Sequence, residues 1–405
     1  MLKCRFCDKP LEHLMTDLGM SPLSNAYLKP EHLQQMEPFY PLAVHVCDTC
    51  FLVQLPAVQT PEHIFSDYAY FSSYSDTWLK HAEAYCNAMI ARFGLGATHR
   101  VIESASNDGY LLQYFKQRGI PVLGVEPAAN VAAVAEKERG IPSVVKFFGV
   151  EIAKELPQAD LLLGNNVLAH VPDINDFVEG MRITLKKSGV ITMEFPHLVR
   201  MMSLNQFDTI YHEHFSYLSF YAVEKIFITH DLTMFDVEEL PTHGGSLRIY
   251  AQHRDGAQPV SDRVEAMRTG EKAFGIDKLT TYAQFAAGVQ ETKRKLLDFL
   301  IDARSSGKSI VGYGAPAKGN TLLNYCGVRT DFLAYTVDRS PHKQGLFLPG
   351  THIPILAPDR IRETRPDYVL ILPWNIKDEI VEQMSYIREW GGKFVVPIPS
   401  VEVLS

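Results

Sequence analysis

Residues 101–126 read VIESASNDGYLLQYFKQRGIPVLGVE. Val101 and Ile102 open an apolar strand, and Ser104-Ala105-Ser106-Asn107-Asp108-Gly109 is a small, polar turn of the kind that lets backbone approach a ligand. Tyr110, Leu111, Leu112, Tyr114 and Phe115 recur at helical spacing, and Val122, Leu123 and Val125 lead a second strand into Glu126. A carboxylate at that point of a βαβ unit is placed to accept hydrogen bonds from ribose hydroxyls. Dinucleotide sites instead use G-x-G-x-x-G, which seats a pyrophosphate on the helix N-terminus. That pattern is absent here, and Asp108 would repel a phosphate. The stretch therefore predicts a ligand with a ribose and no phosphate, and S-adenosylmethionine is such a ligand. Glu103, Ser106, Asn107, Asp108, Gly109, Leu111, Glu126 and Pro127 are the expected contacts.

The bulk numbers agree with an ordinary globular chain. There are 405 residues, 46% hydrophobic and 21% charged, enough for two or three domains. A net charge of -8 without a basic tract speaks against a nucleic-acid polymer as partner. No apolar run is long enough to span a membrane, and no secretory leader is expected. Four of the six cysteines fall in two pairs, Cys4-x-x-Cys7 and Cys47-x-x-Cys50. Two such pairs suit a closed tetrahedral zinc site of structural type, in a reducing cytoplasm rather than a disulfide scaffold. The long segment between the pairs, including Asn25–Tyr27, must loop out and return. Neither pair opens a helix of a βαβ unit, so a redox role is disfavoured.

The remaining signals follow in order. Tyr68, Tyr70 and Ser73 precede a helix whose Trp78, His81, Ala82, Tyr85 and Ile90 form an apolar stripe, which reads as core or as a lid over the ligand. A strand over 160–163 runs into Asn165 and Asn166, followed by His170 and Asp173. Ligands of open α/β sheets lie at the carboxyl ends of the strands, so Asn165, Asn166 and His170 are expected to face the ligand. The densest polar cluster is Asp208-Thr209-Ile210-Tyr211-His212-Glu213-His214. A metal site is disfavoured there, because on a strand His212 and His214 would share one face and Glu213 the other. Proton transfer by a histidine beside Glu213 and Tyr211 is the preferred reading. His243 and Gly244 open a further strand. Near the C-terminus, Gly312-Tyr313-Gly314-Ala315-Pro316-Ala317-Lys318 matches G-x-G-x-x-A, with Asp338 closing the next strand. Taken alone this favours an NAD-dependent oxidoreductase. Lys318 can equally hold a nucleotide-sugar pyrophosphate, with Trp374 or Tyr335 stacked on a base.

In order, the chain carries the paired C-x-x-C, E-x-A-S-N-D-G, N-x-L-A-H-V-P-D, E-F-P-H, Y-H-E-H-F-S-Y and G-Y-G-A-x-A-K-G. Together these resemble the sugar C-methyltransferases of deoxysugar biosynthesis, over essentially the whole chain. The resemblance implies an α/β protein with a class I methyltransferase, Rossmann-like central domain (98–240). It also implies a small zinc-binding domain (1–60), a helical lid or linker (61–97), and a C-terminal Rossmann-like sugar-nucleotide-binding domain (241–405). It implies methyl transfer to C3 of a dTDP-linked 4-keto-6-deoxy sugar through an enolate, with His214 as base and Tyr211, Glu213 and His170 orienting it or binding the enolate oxygen. Tyr70, His243, Gly244, Lys318, Asn320 and Asp338 are the expected substrate contacts. Ser104 departs from the usual aliphatic residue of the family turn. The alternatives are the oxidoreductase and an O- or N-methyltransferase. The oligomeric state is open, a monomer included.

Overall fold

Val101–Ser104 (β1) is buried at all four positions, as a strand covered on both faces must be. In the computed structural model, which describes residues 2–60, 72–74 and 76–404, it is an inner strand, third from one edge, of a seven-stranded sheet. The other strands are β2 (Val122–Val125), β3 (Ser143–Val144), β4 (Ala159–Asn165), β5 (Leu185–Pro196), β6 (Leu232–Leu240) and β7 (Ser246–His253). Their order is β3-β2-β1-β4-β5-β7-β6, with β1 to β5 parallel and β7 antiparallel to both neighbours. This is the strand order of a class I methyltransferase. Helix Ile174–Thr184 starts at Asp173, whose side chain accepts the Asp176 amide at 3.0 Å.

Two differences from the sequence reading have a clear cause. Strand β7 is inserted between β5 and β6, so the sheet runs past the expected boundary at 240 and takes in His243 and Gly244 as its last turn. Helix Asp76–Phe93 buries Ala82, Tyr85, Cys86 and Met89 with Tyr110, Leu111 and Phe115, leaving Trp78 and His81 half-buried at its start. The Leu111 side chain therefore belongs to the core and not to the ligand.

The sheet lies in a unit made of Met1–Leu11, Cys47–His197 and Phe215–Asp277; a second unit holds Glu12–Val46, Leu198–His214 and Lys278–Ser405. The second has a six-stranded sheet of β8 (Ile310–Tyr313), β9 (Thr336–Val337), β10 (Ile355–Leu356), β11 (Tyr368–Ile371), β12 (Lys393–Val396) and β13 (Glu402–Leu404). The order β10-β9-β8-β11-β12-β13 puts a switch point at β8, whose glycine turn follows it. The long loop between the cysteine pairs returns through an antiparallel pair, His13–Ser21 with Tyr40–Val46. Among the described residues no helix is long and apolar enough to cross a membrane.

Candidate active site

The two cysteine pairs fold alike. The amides of Cys4 and Cys47 reach the carbonyls of Lys9 and Leu52, five residues on, and the turns pass through Asp8 (φ 58°) and Phe51 (φ 62°). The four Sγ atoms of Cys4, Cys7, Cys47 and Cys50 then lie within 4.8 Å of one another. Sulfurs around a tetrahedral zinc at about 2.3 Å are about 3.8 Å apart, so the set fits the ion closely. Four thiolates leave no open position for substrate, which makes the site structural. A broad, mixed-charge depression of about 430 Å³ beside it, lined by Lys3, Arg5, Asp8, Asp173 and Asp176, has too little apolar floor for a ligand pocket.

At the carboxyl end of β1 the chain turns through Ala105 (φ 54°), Asn107 (φ 50°) and Gly109 (φ 74°). A Cβ on Gly109 would stand 2.9 Å from the Ile141 side chain, so glycine is required there by both space and φ. Glu126 fixes the turn: its carboxylate accepts the amides of Asn107 and Ala128, each at 2.9 Å. Each of its oxygens keeps a lone pair for a ribose hydroxyl. Ser72 donates its amide to the Asn107 side chain at 2.9 Å, which brings Ser73 to the same turn. Tyr68 and Tyr70 lie outside the described residues.

Among the described residues three carboxylates are buried here, Glu103, Asp108 and Glu126, against one cation, Arg139, 3.6 Å from Asp108. Among the described residues neither oxygen of Glu103 has a hydrogen-bond partner, nor has Ser106 Oγ. Burial, then Glu126 and Asp108, push the Glu103 carboxyl well above its ordinary range. Such a cradle suits a ligand carrying an ammonium and a sulfonium, and it opposes a phosphate. Asn165 and Asn166 (φ 55°) end β4, and His170 closes the short turn Leu168–His170 that follows.

In the second unit the Tyr211–His214 segment is a turn and not a strand, so the face alternation expected of a strand does not hold. The His214 amide bonds the Tyr211 carbonyl at 2.9 Å, and the two rings lie 4.0 Å apart. His214 Nδ1 is 2.9 Å from the Thr209 carbonyl. A carbonyl only accepts, so Nδ1 carries the proton and Nε2 of the neutral ring keeps the lone pair of a base. His212 points away, to the Pro41 carbonyl at 3.1 Å. Glu213 is buried, and the Asn25 amide donates to both its oxygens at 2.7 and 2.9 Å. Burial raises its carboxyl to about 7. Asn25 comes from the loop between the cysteine pairs, which nothing in local sequence ties to Glu213.

The G-x-G-x-x-A turn does not form a dinucleotide site. Its Ala315 amide is taken by Asp338 at 2.8 Å, and a Cβ on Gly314 would stand 2.6 Å from Pro373. Three further expectations there are corrected. Lys318 bonds Asn375 at 2.7 Å and caps the Trp374 ring, so its ammonium already has partners, and burial brings it down to about 8. Asn320 is buried on the Ser24 carbonyl at 2.6 Å. Trp374 and Tyr335 are buried too, on Asp208 and Thr364, so neither ring is open to a base. A cleft of about 210 Å³ at the strand ends is lined instead by Gly314, Pro316, Asp338, Arg339 and Lys343. Arg339 and Lys343 were missed because a lysine and an arginine in a loop carry no local signal.

Three family models match in sequence: a zinc binding domain over residues 4–65, a methyltransferase domain over 78–236 and a C-methyltransferase C-terminal domain over 241–399. The C-methyltransferase NovU of Streptomyces niveus is 35% identical over 407 residues, covering 100% of this chain and 97% of that protein. Solved structures with a likeness include the magnesium protoporphyrin IX methyltransferase of Synechocystis (12% identity, 43% of this chain and 78% of that one, TM-score 0.34). Another is an S-adenosylmethionine-dependent methyltransferase of Thermotoga maritima (18%, 45% and 95%, TM-score 0.35). The chain belongs to this C-methyltransferase family. It is an S-adenosylmethionine-dependent methyltransferase with a zinc-binding cysteine cluster.

Cys50→Ser is expected to release zinc and lower the thermal midpoint by several degrees, read by metal analysis and calorimetry on one sample. Glu103→Gln is expected to do the opposite to stability, gaining about 1–3 kcal/mol by removing a buried, unanswered carboxylate, while S-adenosylhomocysteine binds tenfold or more weakly. Glu213 sets a pH dependence. Its folded value lies above the ordinary one, so the folded state holds the proton more tightly, and this contribution is lost as pH rises from about 4.5 to about 7. Unfolding at pH 8 should therefore show Glu213→Gln more stable than the wild type by up to about 3 kcal/mol, with the gap closing near pH 4.

Proposed function

We propose that this enzyme transfers methyl from S-adenosylmethionine to C3 of a dTDP-linked 4-keto-6-deoxy sugar through an enolate, in deoxysugar biosynthesis. The observation that carries the reading is His214, oriented by the Thr209 carbonyl with its base nitrogen set at Nε2. Methylating carbon beside a ketone requires that a proton leave first, whereas an oxygen or nitrogen acceptor manages with less. His214 takes that proton. Tyr211 and the protonated form of Glu213, which titrates near neutrality, donate to the oxyanion that develops at C4. His170 is a further candidate donor.

The donor, when bound, supplies an electrophilic methyl on a sulfonium. Glu103, Ser106, Asn107, Asp108 and Gly109 would hold its amino-acid end, Glu126 and Pro127 its ribose, and Asn165, Asn166 and Ser73 its remaining edge. The nucleotide end of the acceptor is assigned to the cleft at Asp338, where Arg339 supplies a cation for a diphosphate and Lys343 is held on the Ala315 carbonyl at 2.8 Å. His243 and Gly244 remain candidate sugar contacts of the methyltransferase unit. Six free thiols, four of them in the zinc set, fit a cytoplasmic enzyme.

Incubation with S-adenosylmethionine and dTDP-4-keto-6-deoxyglucose should give a product whose new methyl sits at C3 by NMR. His214→Ala should lower kcat by about 10²–10⁴-fold while S-adenosylhomocysteine binding stays within twofold. Glu126→Gln should weaken that binding by about tenfold, the loss of roughly 1.4 kcal/mol of ribose contact. Methyl at C5, the other carbon flanking the ketone, would keep the enolate chemistry and correct the position. Methyl on oxygen or nitrogen, or binding of NADH in place of the donor product, would sink the reading.

A further inference from the structure

Helix Asp76–Phe93 carries His81 to the carboxyl half of β5, where its Nε2 lies 2.8 Å from Glu194 Oε2. The carboxylate only accepts, so Nε2 holds the proton and Nδ1 of the neutral ring keeps its lone pair. Among the described residues no group bonds Nδ1. Glu194 is 1% exposed at its side chain and His81 19%, so the pair has a dry end and an open end. The other oxygen of Glu194 is taken by Arg248 Nε at 2.7 Å. Arg248 and Glu194 are direct cross-strand partners in β7 and β5, which puts both side chains on one face. Arg248 lies over the Tyr85 ring at 4.8 Å and holds Glu238 at 3.2 Å, so it cannot swing away. Burial disfavours the Glu194 charge, and the bonds from His81 and Arg248 outweigh it.

The position of this arrangement matters as much as its chemistry. On its other side Glu194 pairs in register with Asn165, and its carbonyl takes the Asn166 amide at 2.8 Å. Trp78 stacks on His81 at 4.9 Å and on Tyr110 at 6.1 Å, and the His243 ring meets it edge-on at 5.1 Å. Tyr110 directly follows Gly109 of the donor turn. The imidazole thus stands at the strand ends where such a sheet receives ligands. Anchoring the helix does not need it. Tyr85 is already hydrogen-bonded to Thr192 one turn further on, and Ala82, Cys86 and Met89 are fully buried.

We propose that His81 contacts the acceptor, its Nδ1 taking a hydrogen bond from a hydroxyl or amino group of the sugar, with Glu194 and Arg248 as positioning residues that fix the ring. This rests on the keto-sugar reading above and adds to it a specificity contact in the methyltransferase unit, separate from the base.

The test uses the full-length enzyme with dTDP-4-keto-6-deoxyglucose and S-adenosylmethionine. His81→Leu should raise KM for the sugar tenfold or more, and His81→Gln should recover part of that, because its amide can bond Glu194 and still offer a carbonyl oxygen. S-adenosylhomocysteine affinity should stay within twofold in both. At saturating sugar, deuterium from D₂O should still enter the carbon beside the ketone in the leucine variant, since the base is elsewhere. Equal sugar KM in wild type and His81→Leu, or a loss confined to S-adenosylhomocysteine binding, overturns the assignment. If the leucine variant does not fold, Glu194→Gln decides: a raised sugar KM with donor-product affinity kept supports the proposal, and an unchanged KM overturns it. If the wild type itself leaves the sugar untouched, the substrate reading has failed, and the assignment of His81 falls with it.

Discussion

A carboxylate removed from water must be protonated or met by a positive charge, because its desolvation cost is many kcal/mol. The methyltransferase sheet buries Glu103, Asp108 and Glu126 around one turn and, among the described residues, supplies a single arginine to them. Most of the site follows from that imbalance. Glu126 is satisfied by backbone amides and so shapes the turn, while neither oxygen of Glu103 has a protein partner among the described residues. The same charges that favour a sulfonium and an ammonium exclude a pyrophosphate. The two glycine turns of the chain differ: in the second, Asp338 takes the Ala315 amide at 2.8 Å.

The proton chemistry proposed for the second unit depends on a main-chain acceptor. The Thr209 carbonyl fixes which nitrogen of His214 is basic, and the turn beneath it brings Tyr211 against the same ring. Glu213, further along that turn, is raised to about 7 by burial, against the opposing hydrogen bond from Asn25. A carboxyl in that state gives and takes protons at working pH, and an exposed one would not. Zinc contributes nothing to these steps directly. Its four ligands close the ends of the segment from which Asn25 is delivered.

Local pattern made much of this legible. The strand–turn–helix at Val101–Glu126 and the doubled C-x-x-C each depend on neighbours in sequence, and each stands where its residues put it. The expectations that failed depended on neighbours in space. G-x-G-x-x-A reads the same whether its amide meets a phosphate or Asp338. Lys318 reads as a free cation until Trp374 and Asn375 cover it. His81 reads as one more member of an apolar stripe until β5 and β7 bring Glu194 and Arg248 beside it.

The sequence by itself therefore determined the class of fold, the metal set and the kind of donor, because periodicity, turn chemistry and ligand spacing act over a few residues. Tertiary structure alone decided which groups are basic, which charges are answered and which polar side chains are already occupied. Those properties are set by desolvation and by partners such as Asn25 for Glu213 and Arg248 for Glu194, 188 and 54 residues away along the chain, and no local rule reaches that far.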